Sequence, residues 1–158
     1  MTRRLAARVK SIWANRERTP MISHHAALIY VMVMVSAADR NMTDAELRMI
    51  GEIVSFLPVF RDYDPGLLTR TTASCAEMLD ADDGLDRALE AIKAALPPRL
   101  RETAYALACD VAAADREPHP EVRRLLELFR HRLDIDRLVA AAIERGAIAR
   151  FALGPVHA

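Results

Sequence analysis

A charge-free stretch near the N-terminus places the strongest constraint on how this chain folds. Residues 19–38 contain no Asp, Glu, Lys or Arg, and Leu28–Val35 holds only aliphatic, Met and Tyr side chains. A membrane-spanning helix needs about 20 predominantly apolar residues, whereas Pro20 and several polar residues interrupt this stretch. We therefore predict no transmembrane segment, and instead a buried central helix at about residues 23–38.

Helix start signals recur along the rest of the chain. Thr43 and Glu46 form a capping box, in which each side chain can bond the backbone amide of the other residue. Asp64 is followed by proline, as at many helix N-termini, and Asp134 is expected to cap the last helix. No segment alternates with the period of a strand. The predicted fold is all-α: a single compact domain of about seven to eight helices.

The distribution of charge separates a basic N-terminal helix from the rest of the chain. The 158 residues hold 22 basic and 22 acidic side chains, so no nucleic-acid partner is predicted. Residues 1–18 nevertheless carry six basic side chains against Glu17 alone. This segment can be a solvated face or a peripheral contact with an anionic membrane or an acidic partner. The predicted organisation is an amphipathic helix at 1–18, a helical domain at 19–150 and a tail at 151–158.

The two cysteines indicate a reducing compartment rather than a metal site. Cys75 and Cys109 lack CxxC spacing and lie in apolar helical patterns. Such residues are usually small core side chains. We therefore expect a cytoplasmic protein whose cysteines are buried and reduced.

A repeated segment indicates that the chain contains two copies of one helical hairpin. Val35–Arg40 (Val-Ser-Ala-Ala-Asp-Arg) recurs 76 residues later as Val111–Arg116 (Val-Ala-Ala-Ala-Asp-Arg). In each copy an apolar helix ends at the Asp, a short polar turn follows, and a new helix starts near Thr43 or His119. We expect two pseudo-repeated helical hairpins that pack as a pair.

The aspartate of each repeat, Asp39 or Asp115, lies where a helix is predicted to end. A carboxylate there faces the negative end of the helix dipole, at a cost of about 0.3–1 kcal/mol. The adjacent Arg, the free amides of the next helix or a bound cation can each offset this cost. The sequence leaves open whether these residues cap helices, bind a divalent cation or contact a protein.

Further acidic residues near the two turns support the cation hypothesis. Carboxylate oxygens suit hard cations such as calcium, magnesium or manganese. Asp110, in an apolar neighbourhood, is either a ligand or a structural carboxylate paired with Tyr105, Arg101 or a histidine. The candidate metal ligands are Asp39, Asp44, Glu46, Asp110, Asp115, Glu117 and Glu121, with His119 as an additional candidate.

These hairpins resemble the TerB-type domains of tellurite-resistance proteins. The resemblance lies in an Ala-rich helix ending in Ala-Ala-Asp, an acidic turn and an amphipathic helix, present twice. It covers about residues 22–145 and is strongest at Ala112–Asp115 with the preceding Asp110. It implies a compact all-α fold, metal-binding acidic turns and a role in tellurite resistance or chemical stress. Arg40 and Arg116 stand where the family commonly has glycine.

We therefore expect a non-enzymatic, cytoplasmic TerB-like module that binds a divalent cation, or a protein partner in a stress-response complex. The sequence contains no nucleophile–base motif, no glycine-rich phosphate loop and no HExxH motif. The alternative is a structural or protein-interaction module without metal, in which the repeated aspartates only cap helices.

Overall fold

Seven α-helices and no strand form within residues 20–39, 42–115 and 119–156, the ranges that this computed structural model describes. The helices are α1 His24–Ala37, α2 Asp44–Phe56, α3 Leu68–Leu79, α4 Gly84–Ala95, α5 Pro98–Ala114, α6 Pro120–Arg132 and α7 Arg137–Arg150. Short 3-10 turns at Pro58–Phe60 and Pro65–Leu67 connect α2 to α3. The all-α prediction is confirmed, whereas the predicted N-terminal helix lies outside the described residues.

Helix α1 is the centre of the bundle. Its ten residues from Ala27 to Ser36 are each at most 3% exposed. Helices α3, α4 and α5 pack around it, and α2 and α6 make smaller contacts with it. A helix that is apolar on all sides is stable in water only when it is covered on all sides. The prediction of a buried central helix is confirmed, and no helix in the described ranges has the length and apolarity to cross a membrane.

Local capping interactions start the first two helices and the 3-10 turn that precedes the third. The Ser23 hydroxyl accepts a hydrogen bond from the amide of Ala26 at 3.0 Å, which starts α1. At α2 the capping box forms as predicted: the Thr43 amide lies 2.7 Å from a Glu46 carboxylate oxygen, and the Glu46 amide lies 3.2 Å from Thr43 Oγ1. Asp64 accepts from the amide of Gly66 and opens the turn that leads into α3. These contacts span two or three residues, so the sequence suffices to predict them.

The predicted cap of the last helix is wrong by two residues. Asp136, not Asp134, accepts hydrogen bonds from the amides of Leu138 at 2.9 Å and Val139 at 3.3 Å. Asp134 has a φ of 54°, in the left-handed region, where Asp and Asn are tolerated better than most residues. Two aspartates two residues apart are equally suited to capping, and only the turn before α7 decides which one caps.

The two predicted hairpins are α1–α2 and α5–α6, and their boundaries agree with the repeat. Helix α2 shifted by 76 residues coincides with α6, and α1 shifted likewise falls within α5. The two long helices α1 and α5 pack against each other and run in the same direction. Their first turns bring His24 near Arg99, and their last turns bring Asp39 near Asp115. Equivalent turns of the two hairpins therefore meet at one end of the bundle.

Gly84 starts α4 at a position that leaves no room for a side chain. A Cβ there would lie 2.3 Å from the carbonyl oxygen of Met78 and 2.8 Å from the Cα of Leu79. Because both are backbone atoms, Gly84→Ala has to displace the preceding turn. We expect a loss of about 1–3 kcal/mol in the free energy of unfolding, measured by urea titration.

The matched control is Gly146→Ala in α7. The nearest atom to a Cβ there is the end of the Arg150 side chain at 3.5 Å, so the methyl group fits. The free energy of unfolding of this variant should rise by roughly 0.5–1 kcal/mol, because alanine has a higher helix propensity than glycine. Equal effects of the two substitutions would contradict the close packing at Gly84.

The charge of Asp134 should stabilise the fold at neutral but not at strongly acidic pH. Its carboxylate bonds Lys93 at 2.9 Å and lies 3.5 Å from Arg101. The hydrogen bond and charge of Lys93 lower the pKa of Asp134 below its ordinary value of 3.8. A carboxyl group whose pKa is lowered on folding contributes stability above its unfolded pKa, and loses it as pH falls through the folded pKa.

Asp134→Asn tests this pH dependence because asparagine also tolerates the left-handed backbone. Wild type should exceed the variant in urea-unfolding free energy at neutral pH, and the difference should shrink as the pH is lowered below 3.8 toward about 3. A difference that stays constant down to that pH would contradict the ion-pair account.

Candidate metal centre

Two turns, one from each hairpin, bring three ligand-type side chains together. Asp39 follows α1, Asp115 follows α5, and His119 precedes α6. One ligand atom from each side chain lies within 4.8 Å of the others. His119 Nε2 lies 3.3 Å from Asp115 Oδ2 and 3.7 Å from Asp39 Oδ2. We call these three residues the Asp–Asp–His cluster.

The cluster lies in a partly exposed position. The side chains of Asp39, Asp115 and His119 are 21%, 37% and 30% exposed. Water or a hydrated ion can therefore reach the carboxylates without unfolding the turns. Two carboxylate oxygens and one imidazole nitrogen form a three-ligand set that leaves further coordination positions for water.

The position of Asp39 and Asp115 at helix ends makes the Asp–Asp–His cluster a favourable place for positive charge. Asp115 is the C-cap residue of α5, and Asp39 directly follows Ala38, the C-cap of α1. Both carboxylates therefore lie at negative helix ends, where a cation or a protonated imidazole is favourable. Neither is the N-cap residue of the following helix, since Thr43 and His119 hold those positions.

Only two of the seven predicted ligands belong to the cluster. Asp44 and Glu121 are exposed in the first turns of α2 and α6. The Glu46 carboxylate is bound in the capping box of α2. Asp110 lies on α5 away from the cluster, and Glu117 lies outside the described residues. The structure therefore brings one acidic residue from each turn together in one candidate site, and the other predicted ligands that the structure describes do not belong to it.

The partner of Asp110 is not among the three that the sequence suggested. Its carboxylate accepts a hydrogen bond from the guanidinium of Arg150 on α7. Tyr105 instead donates to Glu144 of α7, at 2.5 Å. Both pairs join residues about 40 positions apart, and they show that α5 and α7 run in parallel. Asp110 is a paired structural carboxylate in this arrangement.

His119 is the member of the cluster with the weakest sequence signal. It occupies the position equivalent to Thr43 in the repeat, but its side chain makes no capping hydrogen bond to α6. Ser, Thr, Asp and Asn are the residues favoured at this position. The sequence names His119 only as an additional candidate ligand, and a histidine in place of a good N-cap residue is the feature that strengthens this candidacy.

An open groove of about 560 Å³ ends at the cluster. Helix α5 forms its floor, and α6 and α7 form its walls. Its surface is mainly apolar, with alanines along the floor and along α7. We call it the α5–α7 groove.

Comparison of the chain with family models, curated proteins and solved structures found no match in any of the three.

Both cysteines should be unreactive in the folded protein. Cys75 and Cys109 are buried and free, as predicted. Burial raises the pKa of each thiol from 9.0 to about 12. The thiolate is the reactive form of cysteine. A pKa raised by about three units reduces the thiolate fraction about a thousandfold at about pH 8.

We therefore expect iodoacetamide to label the native protein on the order of 10³-fold more slowly than the unfolded chain. Mass spectrometry over time measures both rates, and protein in guanidinium chloride is the control. Native labelling at the unfolded rate would show that the thiols are not buried as described.

Proposed function

We propose that this protein is a non-enzymatic, TerB-like helical module that binds a divalent cation at the Asp–Asp–His cluster. The observation that carries the proposal is the convergence of Asp39 and Asp115, equivalent positions of the two repeats, on His119. The resemblance of the repeated Ala-Ala-Asp turns to TerB-type domains supports a role in a cytoplasmic response to tellurite or other chemical stress.

The chemistry of the donor set favours some cations over others. The sequence suggested calcium, magnesium or manganese, which prefer oxygen ligands. An imidazole beside two carboxylates is more typical of manganese or zinc sites. A cation here would neutralise two carboxylates at two helix ends and link the two hairpins. Its binding would therefore stabilise the folded state.

The non-catalytic part of the proposal rests on the absence of catalytic motifs from the sequence. In a stress-response complex, such a module would act by contacting a protein partner when the cation is bound. Because the cluster joins both hairpins, occupancy there can change the surface that they present.

A metal-free role is the alternative, and the cluster geometry offers an argument for it. His119 lies within ion-pair distance of both carboxylates, at 3.3 and 3.7 Å. A protonated imidazole would thus hold the two turns together without any ion. In that case the protein is a structural or interaction module.

Thermal unfolding of metal-stripped protein with added manganese or zinc distinguishes the two functions. A cation at about a hundred times its dissociation constant should raise the unfolding free energy by roughly 2.7 kcal/mol. Asp39→Asn, Asp115→Asn and His119→Gln should each abolish most of this gain, because each removes one of three protein ligands.

The matched control is Glu121→Gln, which removes an exposed carboxylate from the first turn of α6 outside the cluster. This variant should retain the full metal-dependent gain. If no cation stabilises wild type and His119→Gln merely lowers stability, the cation proposal fails in favour of the metal-free role.

A further inference from the structure

The α5–α7 groove is an apolar surface that the apolar face of an amphipathic helix could fill. Alanines, including Ala112, Ala140 and Ala141, keep it open, and Leu126 and Ile148 line its sides. Its volume of about 560 Å³ lies within the range of ligand-binding pockets, roughly 300–1,000 Å³. Ile148 is 58% exposed, so its apolar side chain contacts water unless another group covers it.

The N-terminal segment carries the side chains that such a groove requires. Leu5, Val9, Ile12 and Trp13 have the spacing i, i+4, i+7 and i+8 of an amphipathic helix that docks into a groove. An isolated helix of this length is marginal in water and needs a surface to pack on. We propose that residues 3–16 bind as a helix in the α5–α7 groove of their own chain.

The dimensions of segment and groove agree. A helix over residues 3–16 is about 20 Å long, and Leu5 to Trp13 spans about 12 Å of it. The groove is lined on α6 from His119 to Arg130, which corresponds to about 17 Å. The apolar stripe therefore fits within the length of the groove.

The connection to the described chain also permits this docking. Helices α1, α5 and α7 run in parallel, so the start of α1 lies at the same end of the bundle as Arg137. Residues 17–19 add up to about 13 Å of extended chain before Pro20, more than one interhelical distance of ~8–10 Å. The segment can enter beside Arg137 and run toward the Asp–Asp–His cluster.

Charge favours the same direction. Arg3 and Arg4 would then lie toward the end of the groove that contains Asp39, Glu46 and Asp115. The positive end of the segment's helix dipole would face these carboxylates. Its negative end would lie at the opposite end of the groove, which is lined by arginines of α6 and α7.

Trp13 is the only tryptophan in the chain and reports directly on this docking. In full-length, metal-free protein its fluorescence should be blue-shifted, and acrylamide should quench it several-fold less than in the urea-unfolded chain. Ile148→Arg places a cation in the groove and should move both readings to the unfolded values. Ala141→Arg, at an exposed groove position, is a second variant should the first fail to fold.

The matched control is Leu138→Arg on the same helix, at a residue that is 82% exposed and does not line the groove. It should leave both readings unchanged. Because metal is absent, the result does not depend on the cation proposal.

Three outcomes would overturn the docking proposal. Trp13 could be as accessible in folded wild type as in the unfolded chain. Its protection could vanish on dilution, which would indicate a second copy of the chain. It could also be protected only after anionic phospholipid vesicles are added, which would assign the segment to a membrane surface.

Discussion

The burial of α1 on every side is the constraint on which the remaining structure depends. Removing each of its large apolar side chains from water stabilises the folded state by roughly 1.5–3 kcal/mol. The helix carries few polar groups. The neighbouring helices must therefore surround it, and α5 packs along it in the same direction. That parallel packing brings the last turns of α1 and α5 together, so the Asp–Asp–His cluster follows from the arrangement of the core.

Much of the fold could be predicted because its determinants are local. The caps at Ser23, Thr43 and Asp64 depend on contacts over two or three residues, and α1 is recognisable from its lack of charge. The error at α7 has a physical cause. Asp134 and Asp136 are chemically identical, and they differ in the folded chain because Asp134 adopts the left-handed backbone of the turn and pairs with Lys93 of α4.

The site could be predicted only in part because it combines residues from two hairpins. The repeat identified Asp39 and Asp115 as equivalent, but it could not predict that parallel packing of α1 and α5 joins them. Asp110 was suggested as a ligand, whereas its partner Arg150 is 40 residues away on α7. Arg40, Arg116 and Glu117 lie outside the described residues, so their contribution to the turns stays a prediction.

The most direct test of the central claim is an anomalous difference map from crystals of the full chain grown with zinc. We predict a peak bonded to His119 Nε2 and to one carboxylate oxygen each of Asp39 and Asp115, at about 2.0–2.2 Å. Such a peak would establish that the two repeats share one cation. A map with no peak at the cluster, in crystals where these three side chains are well ordered, would contradict the account.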